Sequence, residues 1–111
     1  MKDIINFDDF LKLDIKIGTI REVVEIESSD RLLKLMVDVG EESLRQIVSG
    51  IKVYYPDFKV LIGKQVPVLV NLAPRKFMGV ESQGMILMAE DNDTSYQLHP
   101  EKEIENGTCI R

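Results

Sequence analysis

The residues of this chain best suited to chemistry lie in one stretch, NLAPRKFMGVESQGMIL, residues 71–87. Pro74 stiffens the chain ahead of two adjacent cations, Arg75 and Lys76, whose guanidinium and ammonium groups suit phosphate oxygens. Phe77, Met78 and Met85 offer apolar surfaces on which an unstacked base or a ribose could rest. Asn71 presents both amide functions and Ser82 a hydroxyl, and Gly79 and Gly84 let the backbone turn tightly. So composed, the stretch reads as a loop that presents side chains to a nucleic-acid backbone. Structural roles compete at several positions: Asn71 can end a strand, Met85 can belong to the core, and Phe77 can pack inward.

Elsewhere the chain offers no catalyst. His99 stands before Pro100 with no carboxylate or serine at a recognisable spacing. The single cysteine, Cys109, cannot form an internal disulfide or a zinc site by itself and reads as a reduced thiol. With no nucleophile beside a base, no cluster of metal ligands and no phosphate loop, no catalytic residue, cofactor or metal is expected.

The net charge of −5 conceals a division along the chain. Residues 1–42 hold 6 basic and 11 acidic side chains, residues 43–88 hold 6 and 2, and residues 89–111 hold 2 and 6. A polyanion responds to the field within a Debye length, about 8 Å at physiological salt, so a cationic face can work on an acidic protein. Whether Arg45, Lys52, Lys59, Lys64, Arg75 and Lys76 share such a face or scatter as solvated charges is open at this level.

A chain of 111 residues with 44% hydrophobic and 30% charged side chains is one domain able to bury a core without staples. No apolar run approaches the roughly 20 residues of a membrane span, and MKDIINFDDF lacks a signal pattern, so a cytoplasmic location away from membranes is expected.

The elements that must position the 71–87 stretch read mostly as strands. After NFDDFLKL, where Asn6 or Asp8 could cap a short helix, LDIKIG alternates at period two and would send Leu13, Ile15 and Ile17 to the core. Gly18 interrupts the pattern and TIREVVEI resumes it, which suggests one long strand bent or bulged at the glycine. Leu33, Leu35, Val37 and Val39 share a face of a second strand, and GEES joins it to LRQIVSGI as a hairpin. KVYYPDFKVLIGK suits a short helix or turn as a connection. VPVLVNL is a strand whose Pro67 argues for an edge or bulge position. GMILMA, 84–89, has the length of a buried strand, and EDNDTS reads as a turn. The tail adds short extended pieces near 96–98 and 108–110.

The sum is an all-β domain: a five-stranded barrel of the oligonucleotide-binding (OB) type at residues 7–90, with short helical segments, an N-terminal extension and a C-terminal extension at 91–111. An SH3-like barrel or a small sandwich fits the periodicity equally.

Taken together, LDIKIGTI, DRLLKLMVDVG, RQIVSGI and NLAPRKFMGVESQGMIL resemble the tRNA-binding domain found at the C-terminus of many bacterial methionyl-tRNA synthetases. The same module forms free-standing dimeric tRNA-binding proteins and occurs in EMAP II-like domains. The resemblance covers the chain from about Phe7 onward, and the NLAPRK and SQGM blocks make it specific. It implies an OB-fold barrel that binds tRNA by shape and backbone, generally without anticodon reading, as a homodimer and beside a synthetase catalytic domain in cis or in trans. Carried over by motif, the tRNA-binding residues are Asn71, Arg75, Lys76, Ser82 and Met85, followed by Lys34, Ser49 and Gly50 on neighbouring strands. The family's dimer contacts fall on the N-terminal segment and on the tail after about Glu90. Many relatives carry a His-Pro loop where this chain reads ESSDRLLKL, so no ligand contact is assigned there. A secretion-related chaperone shares the fold, and a peptide-binding reading would use Phe77, Met78, Tyr54 and Tyr55 in place of the cations.

Overall fold

The computed structural model describes residues 1–111 and is built almost wholly from antiparallel strands. A one-turn helix, α1 (Phe7–Phe10), opens the chain, and the backbone N–H of Asn6 donates to Asp9 Oδ2 at 3.2 Å. Then follow β1 (Ile15–Glu25), β2 (Leu33–Asp38) and β3 (Arg45–Ser49) as a meander. Two 3-10 turns, Lys52–Tyr54 and Phe58–Leu61, make the expected helical connection to β4 (Gln65–Leu69). Beyond it lie β5 (Arg75–Phe77), β6 (Val80–Ser82), β7 (Met85–Ile86), β8 (Met88–Asp91), β9 (Thr94–Gln97) and β10 (Cys109–Ile110).

The main sheet runs β3-β2-β1-β4-β7, with β10 added to β1, and it curls into a nearly closed five-stranded barrel of OB-like form. Period-two alternation fills its interior. Leu33, Leu35 and Val37 of β2, Ile47 of β3, and Val66 and Val68 of β4 are completely buried with Ile20 and Leu61. Each such side chain contributes about 1.5–3 kcal/mol of burial, which makes this cluster the main source of stability.

Five expectations need correction. Leu13 is not in the core but 47% exposed, because the strand begins at Ile15 and Leu13 still belongs to the turn that follows α1. The irregularity of β1 lies between Ile20 and Glu22 rather than at Gly18. Gly18 is required for a different reason: a Cβ there would stand 2.7 Å from Val39 Cγ1 and 2.8 Å from Val37 Cγ1.

Pro67 sits in an interior strand, between β1 and β7. Ladder bonds at Asp14–Val70 and Ile20–Lys64 put the Ile17–Pro67 pair in a non-hydrogen-bonded position, so β1 asks for no N–H there. On its other side Pro67 only accepts, from Leu87 N–H at 3.0 Å, at the point where β7 leaves the sheet.

GMILMA is not one buried strand. Met85 and Ile86 belong to the barrel, whereas Met88 and Ala89 start a separate hairpin with β9. Asn92 and Asp93 form its two-residue turn at φ +49° and +62°, so the turn expected over 90–95 is shorter, and Glu90, Asp91, Thr94 and Ser95 are extended.

The tail is tied down by polar groups. Asn106 Oδ1 accepts from Thr19 Oγ1 at 2.7 Å and from Gln65 Nε2 at 3.1 Å, while Gln65 also exchanges hydrogen bonds with the backbone of Ile104. His99 Nδ1 lies 2.7 Å from the Gln65 carbonyl, which gives the imidazole a structural role. No helix is long and apolar enough to cross a membrane.

One charged cap closes the end of the barrel. Arg45 donates through Nε and Nη2 to both carboxylate oxygens of Glu41, at 2.7 and 2.8 Å, and through Nη1 to the carbonyls of Val70 and Gln83 at 2.7 and 2.8 Å. The Arg45 hydrogen bond holds the Glu41 carboxyl below its ordinary value of 4.5, and the Gly40 N–H does the same for Asp38 below 3.8. Both folded values are depressed, so the stability these groups contribute is fully present above the ordinary values and is lost as pH falls through the lowered ones. Glu41→Gln should therefore lower Tm at neutral pH and flatten the acid limb of a plot of Tm against pH; an unchanged acid limb would remove Glu41 from the account.

Candidate nucleic-acid interface

The 71–87 stretch is a hairpin where a loop was expected. Arg75 pairs with Ser82, Lys76 with Glu81 and Phe77 with Val80, around a two-residue turn in which Met78 and Gly79 take φ +52° and +83°. A type I′ geometry of this kind suits a two-residue hairpin, and glycine accepts it freely. Met78 does not, and a non-glycine residue in the left-handed region costs about 1–2 kcal/mol. The strained Met78 is 57% exposed at the tip.

Strand alternation then sorts the side chains. Arg75 and Phe77 fall on one face of the ribbon, with the guanidinium 5.0 Å from the ring centroid, and Lys76 falls on the other. The Arg75 face borders a groove of about 410 Å³, which Ser49 and Gly50 at the end of β3, Leu72, Met85 and Glu90 also line. This volume lies in the range of ligand-binding clefts. Its walls are largely apolar, as stacking a base requires.

Of the eight residues singled out in the sequence, Ser49, Gly50, Arg75, Ser82 and Met85 come together at this groove. Asn71, Lys76 and Lys34 do not. Asn71 has a structural role: its Oδ1 accepts from Asp14 N–H at 2.8 Å and its Nδ2 donates to the Lys12 carbonyl at 2.7 Å, which clamps the N-terminal segment to the end of β4. Lys34 alternates with the buried Leu33 and Leu35 and so lies on the outer face of the meander.

Ser82 lines the groove yet is buried, and its hydroxyl is spent. It accepts from Val48 N–H at 3.0 Å and donates to the Gly84 carbonyl at 3.0 Å. Gly84 is held at φ +142°, where a Cβ would come within 2.8 Å of the Leu69 carbonyl. Ser82 and Gly84 of the SQGM block therefore serve to close the barrel, while Met85 of the same block lines the groove.

Electrostatics narrows the cationic set further. Arg45 is taken by Glu41, and Lys52 by Glu25 at 2.7 Å. Neither Arg75 nor Lys76 has an acidic partner among the ion pairs, so their charge is available to a ligand. The basic middle of the chain is thus partly internal: Arg45 and Lys52 are paired, Lys59 and Lys64 stand near the second 3-10 turn, and Arg75 and Lys76 stand on the β5–β6 ribbon next to the groove, with Lys76 opposite Glu81.

The sequence reading missed Leu72, Glu90 and Ser95, which also line the groove. The last two were hidden in what looked like a turn. The signal was the Asn92-Asp93 pair, a dipeptide able to take positive φ at a two-residue hairpin.

Residues 15–109 match the family model described as "Putative tRNA binding domain". The chain belongs to the tRNA-binding domain family. It is 58% identical over 110 residues to a methionine–tRNA ligase of Methanococcoides burtonii, a match covering 98% of this chain and 16% of that enzyme. The tRNA-binding domain thus spans about one-sixth of that relative's length. Among solved structures, a MetRS-related protein from Pyrococcus horikoshii superposes with a TM-score of 0.90 at 36% identity, covering 99% of this chain and 100% of that one. The chaperone CsaA from Bacillus anthracis superposes with a TM-score of 0.86 at 32% identity, covering 98% and 100%.

If Ser82 serves closure, Ser82→Ala leaves the buried Val48 N–H and Gly84 carbonyl without their partner and should cost about 1–3 kcal/mol of stability, read by denaturant unfolding. A variant of unchanged stability would return the hydroxyl to the pool of ligand contacts.

Proposed function

We propose that this tRNA-binding domain is a non-catalytic module that holds tRNA by shape and backbone, with little dependence on sequence, on the face formed by the β5–β6 ribbon and the adjoining groove. The observation that carries the reading is Arg75: a cation without an acidic partner, laid over Phe77 beside an apolar cleft, within a chain that belongs to this family. Arg75 and Lys76 would displace counterions from phosphates, and the groove would receive an unpaired nucleotide. Met85, 44% exposed, and the half-buried Ser49 supply apolar and hydroxyl contacts within it.

In the proposed setting the module works in or beside a methionyl-tRNA synthetase in the cytoplasm, where tethering raises the effective concentration of tRNA at the catalytic domain. It acts as a homodimer. Ile4, Ile5, Phe7 and Leu11 of the N-terminal segment, with Leu98 and Ile110 of the tail, are exposed apolar residues that a twofold partner would cover. Light scattering after gel filtration checks this, and a monomer would contradict it.

A second reading has its own support. The superposition on a CsaA chaperone and the largely apolar groove favour an extended peptide as occupant, seated on Phe77 and Met78; Tyr55 is tied to the neighbouring hairpin through its OH, 3.5 Å from the Ser95 carbonyl. The two readings part at the cations. Under tRNA binding, Arg75→Ala with Lys76→Ala should weaken affinity in an anisotropy titration and lower the slope of log K against log salt by about one to two, with an unfolded peptide as control. Unaltered tRNA affinity in the double variant, with peptide binding intact, would favour the chaperone.

A further inference from the structure

A groove offered to a polyanion carries a carboxylate. Glu90 lines it with Arg75, and Glu90 enters no ion pair. It stands on β8 opposite Ser95 of β9, whose carbonyl lies 3.5 Å from Tyr55 OH. A free carboxylate repels phosphate, and purely electrostatic capture of RNA would be served better without it. Its place becomes useful when the occupant enters base first, with phosphates left at the Arg75 and Lys76 ribbon.

The chemistry then selects the base. A carboxylate accepts two parallel N–H bonds and donates none. Guanine alone among the four RNA bases sets two donors side by side on its pairing edge, N1–H and the N2 amino group. Adenine and cytosine place a ring-nitrogen acceptor beside their amino group, and uracil flanks its single N–H with carbonyls. The apolar walls at Leu72, Phe77 and Met85 supply the stacking surface for an unpaired base. We infer that the groove is a subsite for one unpaired guanine, with Glu90 reading its pairing edge. This rests on the tRNA-binding reading above and adds a single base-selective contact to an interface that otherwise follows backbone.

Anisotropy titrations of the full chain test it, using short oligouridylate RNAs that carry one central guanosine, inosine or adenosine. Inosine keeps N1–H and lacks the amino group, so it isolates the second hydrogen bond. The wild type should prefer guanosine over adenosine by at least about fivefold, with inosine between them, since a good bidentate base contact discriminates by about that much or more. Glu90→Gln should abolish the ranking while holding or raising affinity for the adenosine RNA, because removing a negative charge otherwise favours any RNA. That combination separates base reading from a general field effect. Equal affinity for the three RNAs in the wild type, or a ranking that survives in Glu90→Gln, overturns the subsite. If tRNA still binds in that case, the module reading stands without it; if neither the oligonucleotides nor tRNA bind, both fall.

Discussion

The barrel is closed by side chains where a strand ladder stops. Between β3 and β7, the two ends of the sheet path, no continuous pairing forms, and the gap is filled by residues 81–84. Gln83 exchanges hydrogen bonds with Gln46, donating its N–H to the carbonyl at 2.7 Å and accepting the Gln46 N–H on Oε1 at 3.1 Å. Gln46 Nε2 reaches the Glu81 carbonyl at 2.8 Å, and Ser82 Oγ takes the Val48 N–H. Buried backbone groups must be paired, so this polar seam is an obligation of the fold before it is anything else. Because it grips the base of the β5–β6 ribbon against β3, it also fixes where Arg75 and Phe77 stand relative to Ser49 and Gly50. The groove is a by-product of how the barrel shuts.

Charge follows the same division of labour. The cation nearest the seam, Arg45, is fully committed to Glu41 and two carbonyls, so it braces the barrel end. Arg75 has only an aromatic ring beneath it. A guanidinium stacked in this way keeps its donors directed outward and gives up little mobility on meeting phosphate. The strained Met78 at the tip fits the pattern, since strain held at an exposed position is commonly retained for contact with a partner. A protein of net charge −5 thereby keeps Arg75 outside its ion pairs at the rim of the groove.

Much of this was legible in residue order. Alternation placed β2 and its inward Leu33, Leu35 and Val37 correctly, and the uneven stretch after Gly50 read rightly as a helical connection, because period and turn chemistry are local properties. What failed was what depends on partners. Leu13 continued an apolar alternation, yet the register pairs of β1 with its neighbours begin only at Ile15. GMILMA looked like one element because hydrophobicity says nothing of the sheet to which each half is joined. The candidate site residues divided likewise: Arg75 and Met85 line the groove, whereas Ser82 and Asn71 are polar groups with bonds taken by residues 34 and 57 positions away. A hydroxyl free for a ligand and one spent on closure are identical in sequence.

The seam sets the β5–β6 ribbon beside the end of β3, and that junction is the proposed place of RNA contact. Amide chemical-shift mapping of the ¹⁵N-labelled chain during titration with tRNA tests it most directly. The account predicts the largest changes at Ser49, Gly50, Arg75, Phe77 and Met85, with Asn71 and the interior of β4 little affected. Changes concentrated on the opposite side, around Ile17, Leu98, His99 and Ile110, would contradict it.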